Sequence, residues 1–251
     1  MKNQTESEKF ASQCREEVAA QGNDAQLTAA TAEWRNQARK HRYTYHFSWL
    51  GRPIIQYPQD MIAMQELIWS VQPDLIIETG IAHGGSLIFS ASMLELNAAC
   101  GGPQDAVVVG VDIDIRLHNR EAIEAHPLSR RIVMIQGSSI DAGIVAEVRA
   151  RAVGRQRIMV FLDSNHTHDH VLAELMAYAP LTSRGSYCVV FDTSIDDAPA
   201  DAFADRPWGP GNNPKTAVRE FLKSHPGFEV DKMIDNKLVI TVAPDGYLRR
   251  P

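Results

Sequence analysis

The sequence predicts an α/β fold: a Rossmann-like sheet of seven strands with helices on both faces, an antiparallel hairpin at its end and an N-terminal helical extension. Three observations predict it. Short apolar runs at 74–79, 107–112, 131–136, 157–163 and 186–192 alternate with helix-spaced stretches at 85–97, 116–125, 140–151, 168–179 and 214–224. Such alternation is the pattern of parallel strands covered on both faces. Two further apolar runs, 228–234 and 238–243, follow each other across Asp235-Asn236-Lys237, which reads as a hairpin turn. Finally, Leu75-Ile76-Ile77-Glu78-Thr79-Gly80 ends a buried run in an acid and a glycine, and a helix begins after His83-Gly84-Gly85-Ser86. A strand, a Gly-rich loop and a helix start form the layout by which such a sheet approaches a nucleotide.

In chain order, residues 1–42 are polar and helix-favouring, with weak stripes at Phe10, Cys14 and Val18 and at Leu27, Ala30 and Trp34. An extension of this kind packs on the main domain or on a neighbouring subunit. Residues 43–73 form a connecting loop rich in aromatics, Gly and Pro, followed by a helix from Met61; 74–251 form the ligand-binding domain. Trp34, Trp49 and the aromatic string around them predict a homo-oligomer. A formal charge of −6 without a dense basic run argues against nucleic acid as a partner. No apolar stretch approaches membrane-spanning length, and the first residues lack a signal-peptide core. Cys14, Cys100 and Cys188 are far apart and form no CxxC, so neither a disulfide framework nor a thiolate zinc site is expected. Together these features predict a cytoplasmic protein.

The chemistry of such a sheet sits beyond the carboxyl ends of its strands, and those ends are polar here. Gly84 and Gly85 let backbone and ligand come close, and Ser86 can cap the following helix. Absence of GxGxxG and of a Walker lysine sets dinucleotide and nucleoside-triphosphate readings behind. Asp112 can accept from ribose hydroxyls, giving a cleft of Glu78, Gly80, Ser86 and Asp112. Ser139 or Asp141 can meet an adenine amino group, with helix capping as the equal alternative. After the fourth strand comes Asp163-Ser164-Asn165-His166-Thr167-His168-Asp169-His170, where His166 can reach substrate as a base. Asp192 should lie beside Asp163, and two adjacent carboxylates need a proton or a cation between them. With Asp196 and Asp197 close behind, an oxygen-ligand site of the Mg²⁺ type is expected; a three-histidine site at 166, 168 and 170 is the weaker alternative. The Pro/Gly-punctuated stretch through Arg206-Pro207-Trp208-Gly209 reads as a lid.

These segments, with Gly137-Ser138-Ser139 and the closing Pro244-Asp245-Gly246-Tyr247-Leu248-Arg249-Arg250, resemble the family named after cephalosporin hydroxylase, which includes rhamnosyl and macrolide-sugar O-methyltransferases. The resemblance runs from about Trp49 to Arg250. It implies the class I methyltransferase sheet, S-adenosylmethionine as donor, Mg²⁺, and a sugar hydroxyl of a glycolipid, polysaccharide or natural product as acceptor. The implied donor-binding residues are Glu78, Gly80, His83, Gly84, Ser86, Asp112, Ser139, Asp141 and Asp163; His166 and Asp163 are implied as catalytic. Metal ligation falls to Asp163 and Asp192. Family members tend to carry Glu-Asp where this chain reads Phe191-Asp192, so Asp196 or Asp197 is expected to substitute. Two other readings compete: a non-catalytic donor-binding subunit, favoured by Phe191, and an oxygenase with an iron site.

Overall fold

A computed structural model of the chain describes residues 5–251. Thr5 and Glu8 form a capping box at the start of α1 (Glu6–Gly22), and the Asp24 carboxylate caps α2 (Ala25–Lys40). The weak apolar stripes of the two helices cannot build a core of their own, so both dock on the rest of the chain. Gln21 at the end of α1 donates to the Asn236 carbonyl at 2.6 Å.

The aromatic stretch that follows contains a two-stranded hairpin, β1 (Phe47–Trp49) and β2 (Arg52–Ile54), rather than an irregular loop. Trp49 stands edge-on to Phe89 at 5.0 Å and donates to Ser92 Oγ at 2.9 Å. Trp34 packs against Tyr43 and Tyr57 at 5.3 and 5.7 Å. Part of the aromatic surface expected to seek a second copy is thus engaged within the chain, while Trp34 and Tyr45 stay partly open to solvent. Pro58 opens α3 (Pro58–Val71), where its missing N–H costs nothing.

The main sheet then follows: β3 (Leu75–Thr79), α4 (Gly85–Ala99), β4 (Val107–Asp112), α5 (Leu117–Glu124), β5 (Ile132–Gln136), α6 (Ala142–Ala152), β6 (Ile158–Leu162), α7 (His168–Tyr178), β7 (Ser186–Val190), α8 (Pro214–Ser224), β8 (Glu229–Val230), α9 (Lys232–Leu238) and β9 (Tyr247–Arg250). Strand order is β5-β4-β3-β6-β7-β9-β8, with β9 antiparallel to both neighbours and the other pairs parallel. This is the class I methyltransferase order, with its switch point between β3 and β6.

The terminal hairpin lies elsewhere than expected. Only Glu229–Val230 of the run 228–234 is a strand, and 238–243 is none. Asp231 accepts from the Met233 N–H and so starts α9, which places Asp235-Asn236-Lys237 inside a helix instead of a turn. The antiparallel strand is β9, seated between β7 and β8.

Strand parity divides the core. Ile76, Met159, Phe161, Val189 and Phe191 join the cluster under α3, α4 and the hairpin. Leu75, Ile77, Val160, Leu162, Cys188 and Val190 join the cluster under α6, α7 and α8. Buried Asp60 of α3 ties the first layer to the chain's end: it accepts from Thr241 Oγ1, from the Val242 N–H at 2.9 Å and from the Tyr247 hydroxyl at 2.7 Å. Burial pushes its carboxyl up to about 6 despite those donors. Among the described residues no helix is long and apolar enough to cross a membrane.

Candidate functional site

At the switch point the connections from β3 and β6 leave toward opposite sides, and a crevice opens between their carboxyl ends. Gly80 closes β3 at φ +89°, and a Cβ there would stand 2.2 Å from the Asp163 carbonyl oxygen beyond β6. Only glycine satisfies both the backbone angle and that approach. The loop after Gly80 is braced from three elements. Asp112 at the end of β4 accepts from the Ile81 and Ala82 N–H groups at 2.8 and 3.2 Å. Arg52 of the hairpin donates from Nε to the His83 carbonyl at 2.9 Å and from Nη2 to Asn119 Oδ1 at 2.8 Å. Asn119 of α5 in turn donates to the Ala82 carbonyl at 2.9 Å.

Ser86 does not cap α4; Gly84, at φ 83°, is the cap residue. Both Ser86 and Ser90 serve Glu78 instead, which by strand parity faces the α4 side with Ile76 and is buried. Burial pushes the Glu78 carboxyl up to about 7, against the two hydroxyls that favour its charged form. A raised carboxyl costs stability as it ionises: below the unfolded value of 4.5 there is no penalty, and the penalty grows until the folded value is passed. Glu78→Gln should therefore be more stable than the parent by an amount that rises from pH 5 to pH 7.5 and then levels off, on the order of 3 kcal/mol. Denaturant unfolding of both proteins across that range reads the difference; a constant offset would overturn it.

Two cavities open on the sheet edge. One of about 220 Å³ runs from the loop at Gly80, His83 and Ser86 to Asp163, His166 and Asp192. The other, of about 100 Å³, lies between Asp112, Ser138, Ser139, Ser164, Asn165 and His170. Ser139 is buried there, its Oγ 3.1 Å from His170 Nε2, with Ser164 Oγ at 3.2 Å from the same atom. Asp141 is not part of it. Its carboxylate caps α6, accepting from the Gly143 and Ile144 N–H groups at 2.8 and 3.2 Å, so the cap reading describes this residue. His170 entered no sequence-based set as a lining residue; its position i+7 from Asp163 gave no signal of the turn of α7 that brings it back.

Asp163, His166 and Asp192 each offer one ligand atom, and the three lie within 4.8 Å of one another. Asp163 continues the parity of Phe161. Asp192 does not continue that of β7: its φ of 56° puts it in the left-handed region, which aspartate tolerates, and re-aims the chain just past Phe191. Burial first, then the negative charges of Asp192 and Glu78, hold the Asp163 carboxyl well above the usual range. His166 Nε2 stands 3.5 Å from Asp192 Oδ2, and its ring meets Trp208 edge-on at 4.8 Å. The loop carrying Trp208 is fastened by Asp196, which accepts from the Gly211 N–H and Asn213 Nδ2, and by Asn212, whose side-chain oxygen accepts from the His168 N–H.

Those contacts remove Asp196 from the expected metal set, since its second oxygen is 2.8 Å from Arg219 Nη1. Asp197 pairs with Lys215 at 3.0 Å. The three histidines diverge as well. His168 bonds Thr216 Oγ1 at 2.8 Å and faces Glu220, and His170 faces the smaller cavity, so neither a three-histidine nor a two-histidine iron site forms. One participant escaped the sequence reading: Gln56, between β2 and α3, is 7% exposed and donates from Nε2 to Asp163 Oδ2 at 3.3 Å. It belongs to no motif, and only the hairpin packing delivers it.

Residues 41–251 match the family described as rhamnosyl O-methyltransferase/CmcI. The rhamnosyl O-methyltransferase of Mycobacterium tuberculosis is 31% identical over 196 residues, covering 76% of this chain and 73% of that protein. That of Mycobacterium leprae is 29% identical over 209 residues, covering 81% and 82%. Among solved structures, CmcI with Mg and S-adenosylmethionine aligns with a TM-score of 0.55 at 20% identity, covering 82% of this chain and 77% of its own. An O-methyltransferase from Bacillus cereus with S-adenosylhomocysteine aligns at 0.50 and 15%, covering 80% and 81%. At those identities the structural likeness is one of fold.

Proposed function

The chain belongs to the rhamnosyl O-methyltransferase/CmcI family and is an S-adenosylmethionine-dependent O-methyltransferase; from that premise we propose that it methylates a sugar hydroxyl with the help of a divalent cation. The observation that carries this reading is the grouping of Asp163, His166 and Asp192 at the mouth of the cavity beside the Gly80 loop. Among the described residues neither aspartate has a Lys or Arg within ion-pair distance, so no Lys or Arg balances the two close carboxylates. Their donor chemistry, hard carboxylate oxygens with one imidazole, fits Mg²⁺ or Mn²⁺.

Bound there, the cation would supply Lewis-acid polarisation of an acceptor hydroxyl, and vicinal sugar hydroxyls suit chelation. The chain's own residues do the rest. The Gly80 loop and the Asp112 brace hold the donor, Asp163 and Asp192 orient the acceptor oxygen, and the His166 imidazole takes its proton. As that O–H bond breaks, the oxygen forms a bond to the methyl carbon while the S–CH₃ bond breaks, leaving S-adenosylhomocysteine. Asp192, 3.5 Å from His166 Nε2, steadies the imidazolium that results. Trp208 keeps water from the imidazole and offers an apolar edge to a deoxysugar.

Methyl-labelled S-adenosylmethionine, incubated with the protein, Mg²⁺ and rhamnosides of increasing aglycone size, tests the proposal. A methyl ether on the sugar is expected, lost on adding chelator. Donor binding without transfer to any glycoside would support a non-catalytic subunit instead, and methylation of catechols or amines would overturn the sugar assignment.

A further inference from the structure

We propose that Gln56 supplies an oxygen ligand to the cation at Asp163 and Asp192, turning its side-chain amide over when the ion binds. This deepens the metal-assisted reading above and rests on it. Phe191 precedes Asp192 but is buried in the apolar cluster with Phe161 and Phe89, so that strand end contributes a single carboxylate. Gln56 and Phe191 both line a third, small cavity of about 30 Å³, and Gln56 also lines the outer cavity with Asp163, His166 and Asp192. Its amide is thus common to the apolar pocket and to the acidic cluster.

Two facts about that amide point to a ligand. Nε2 lies 3.3 Å from Asp163 Oδ2, so the end of the amide already stands beside one of the two carboxylates. Oε1 is buried and has no hydrogen-bond partner. With no bond to hold its oxygen, the amide is fixed at one end alone, so no second hydrogen bond opposes its turning over. A half-turn of the terminal torsion, which is broad and nearly two-fold, exchanges the two atoms. Oxygen then faces the site beside Asp163, and amide oxygens are good ligands for hard divalent cations. The resulting set of two carboxylates and one neutral oxygen balances a 2+ ion. It also leaves the His166 imidazole free for proton transfer.

Calorimetric titration of Mn²⁺, without donor or acceptor, into the parent protein, Gln56→Ala, Gln56→Glu and Asp163→Asn tests this. Relative to the parent, Gln56→Ala should weaken Mn²⁺ binding by about tenfold or more, and Gln56→Glu should tighten it by a similar factor, because a charged ligand replaces a neutral one. A gain of affinity cannot arise from misfolding, so Gln56→Glu guards against an unfolded alanine variant. Parent-like affinity in both Gln56 variants, with binding lost in Asp163→Asn, would overturn the role of Gln56 alone. A parent protein that takes up no Mn²⁺ would overturn the metal reading with it.

Discussion

Asp163→Asn should lose methyl transfer by at least about 10²–10³-fold, the scale of removing one aimed electrostatic group from a reaction site, while binding S-adenosylhomocysteine with nearly parental affinity. The separation follows from geometry. The Gly80 loop, the proposed donor site, is held by Asp112, Arg52 and Asn119, none of which touches the Asp163 carboxylate. Asparagine keeps the shape and removes the charge. It also removes the repulsion that holds the Asp163 carboxyl up, so thermal stability should be unchanged or higher. Lost turnover in a fully folded, donor-binding protein would then have one cause. Parental turnover in this variant, or indifference of the parent to chelator, would leave the fold in place and refute metal assistance.

His166→Ala should lower turnover by about 10²–10⁴-fold, the reach of a positioned general base. Position alone leaves His166 two roles, because its ring nitrogen also falls within the three-donor cluster. Mn²⁺ affinity separates them. A base can be removed without changing metal uptake, whereas loss of a ligand weakens it in step with activity. Because Trp208 packs edge-on to this ring, His166→Gln is the better control for lid packing. Recovery of turnover in His166→Gln would mean that the side chain orients the acceptor and does not take its proton.

Much of the fold was legible because the five parallel strands are unbroken apolar runs between helix-spaced stretches, and the crevice was legible because glycine and acid mark the strand ends. The C-terminal region was not. Val239-Ile240-Thr241-Val242 has strand composition, yet the Asp231 cap starts a helix just before it and Asp60 draws Thr241 and Val242 onto α3. Side-chain direction was a second gap. Glu78 reads as a cleft residue, but the sequence does not show that strand parity turns it toward Ser86 and Ser90, where it lines a small cavity with Asp163. Asp196, four residues beyond Asp192, reads in sequence as near enough to bind metal, but the 3₁₀ turn at Thr193–Asp197 carries it to Arg219. Gln56 was invisible for a different reason, since no local pattern distinguishes a glutamine that a distant aspartate will require.

The contact of Gly80 with the Asp163 backbone has a bearing on how acceptor preference can change. The Gly80 loop and the strand end at Asp163 abut main chain to main chain, so, with donor and acceptor placed as proposed, the gap the methyl group would cross is fixed by the lattice of the sheet and not by removable side chains. Redesign for a bulkier or differently shaped acceptor than the proposed sugar would then succeed in the segment bearing Trp208, which can be recut without moving either partner in the transfer. A side chain at position 80 would pry both partners apart at once, and no change of acceptor could restore their alignment.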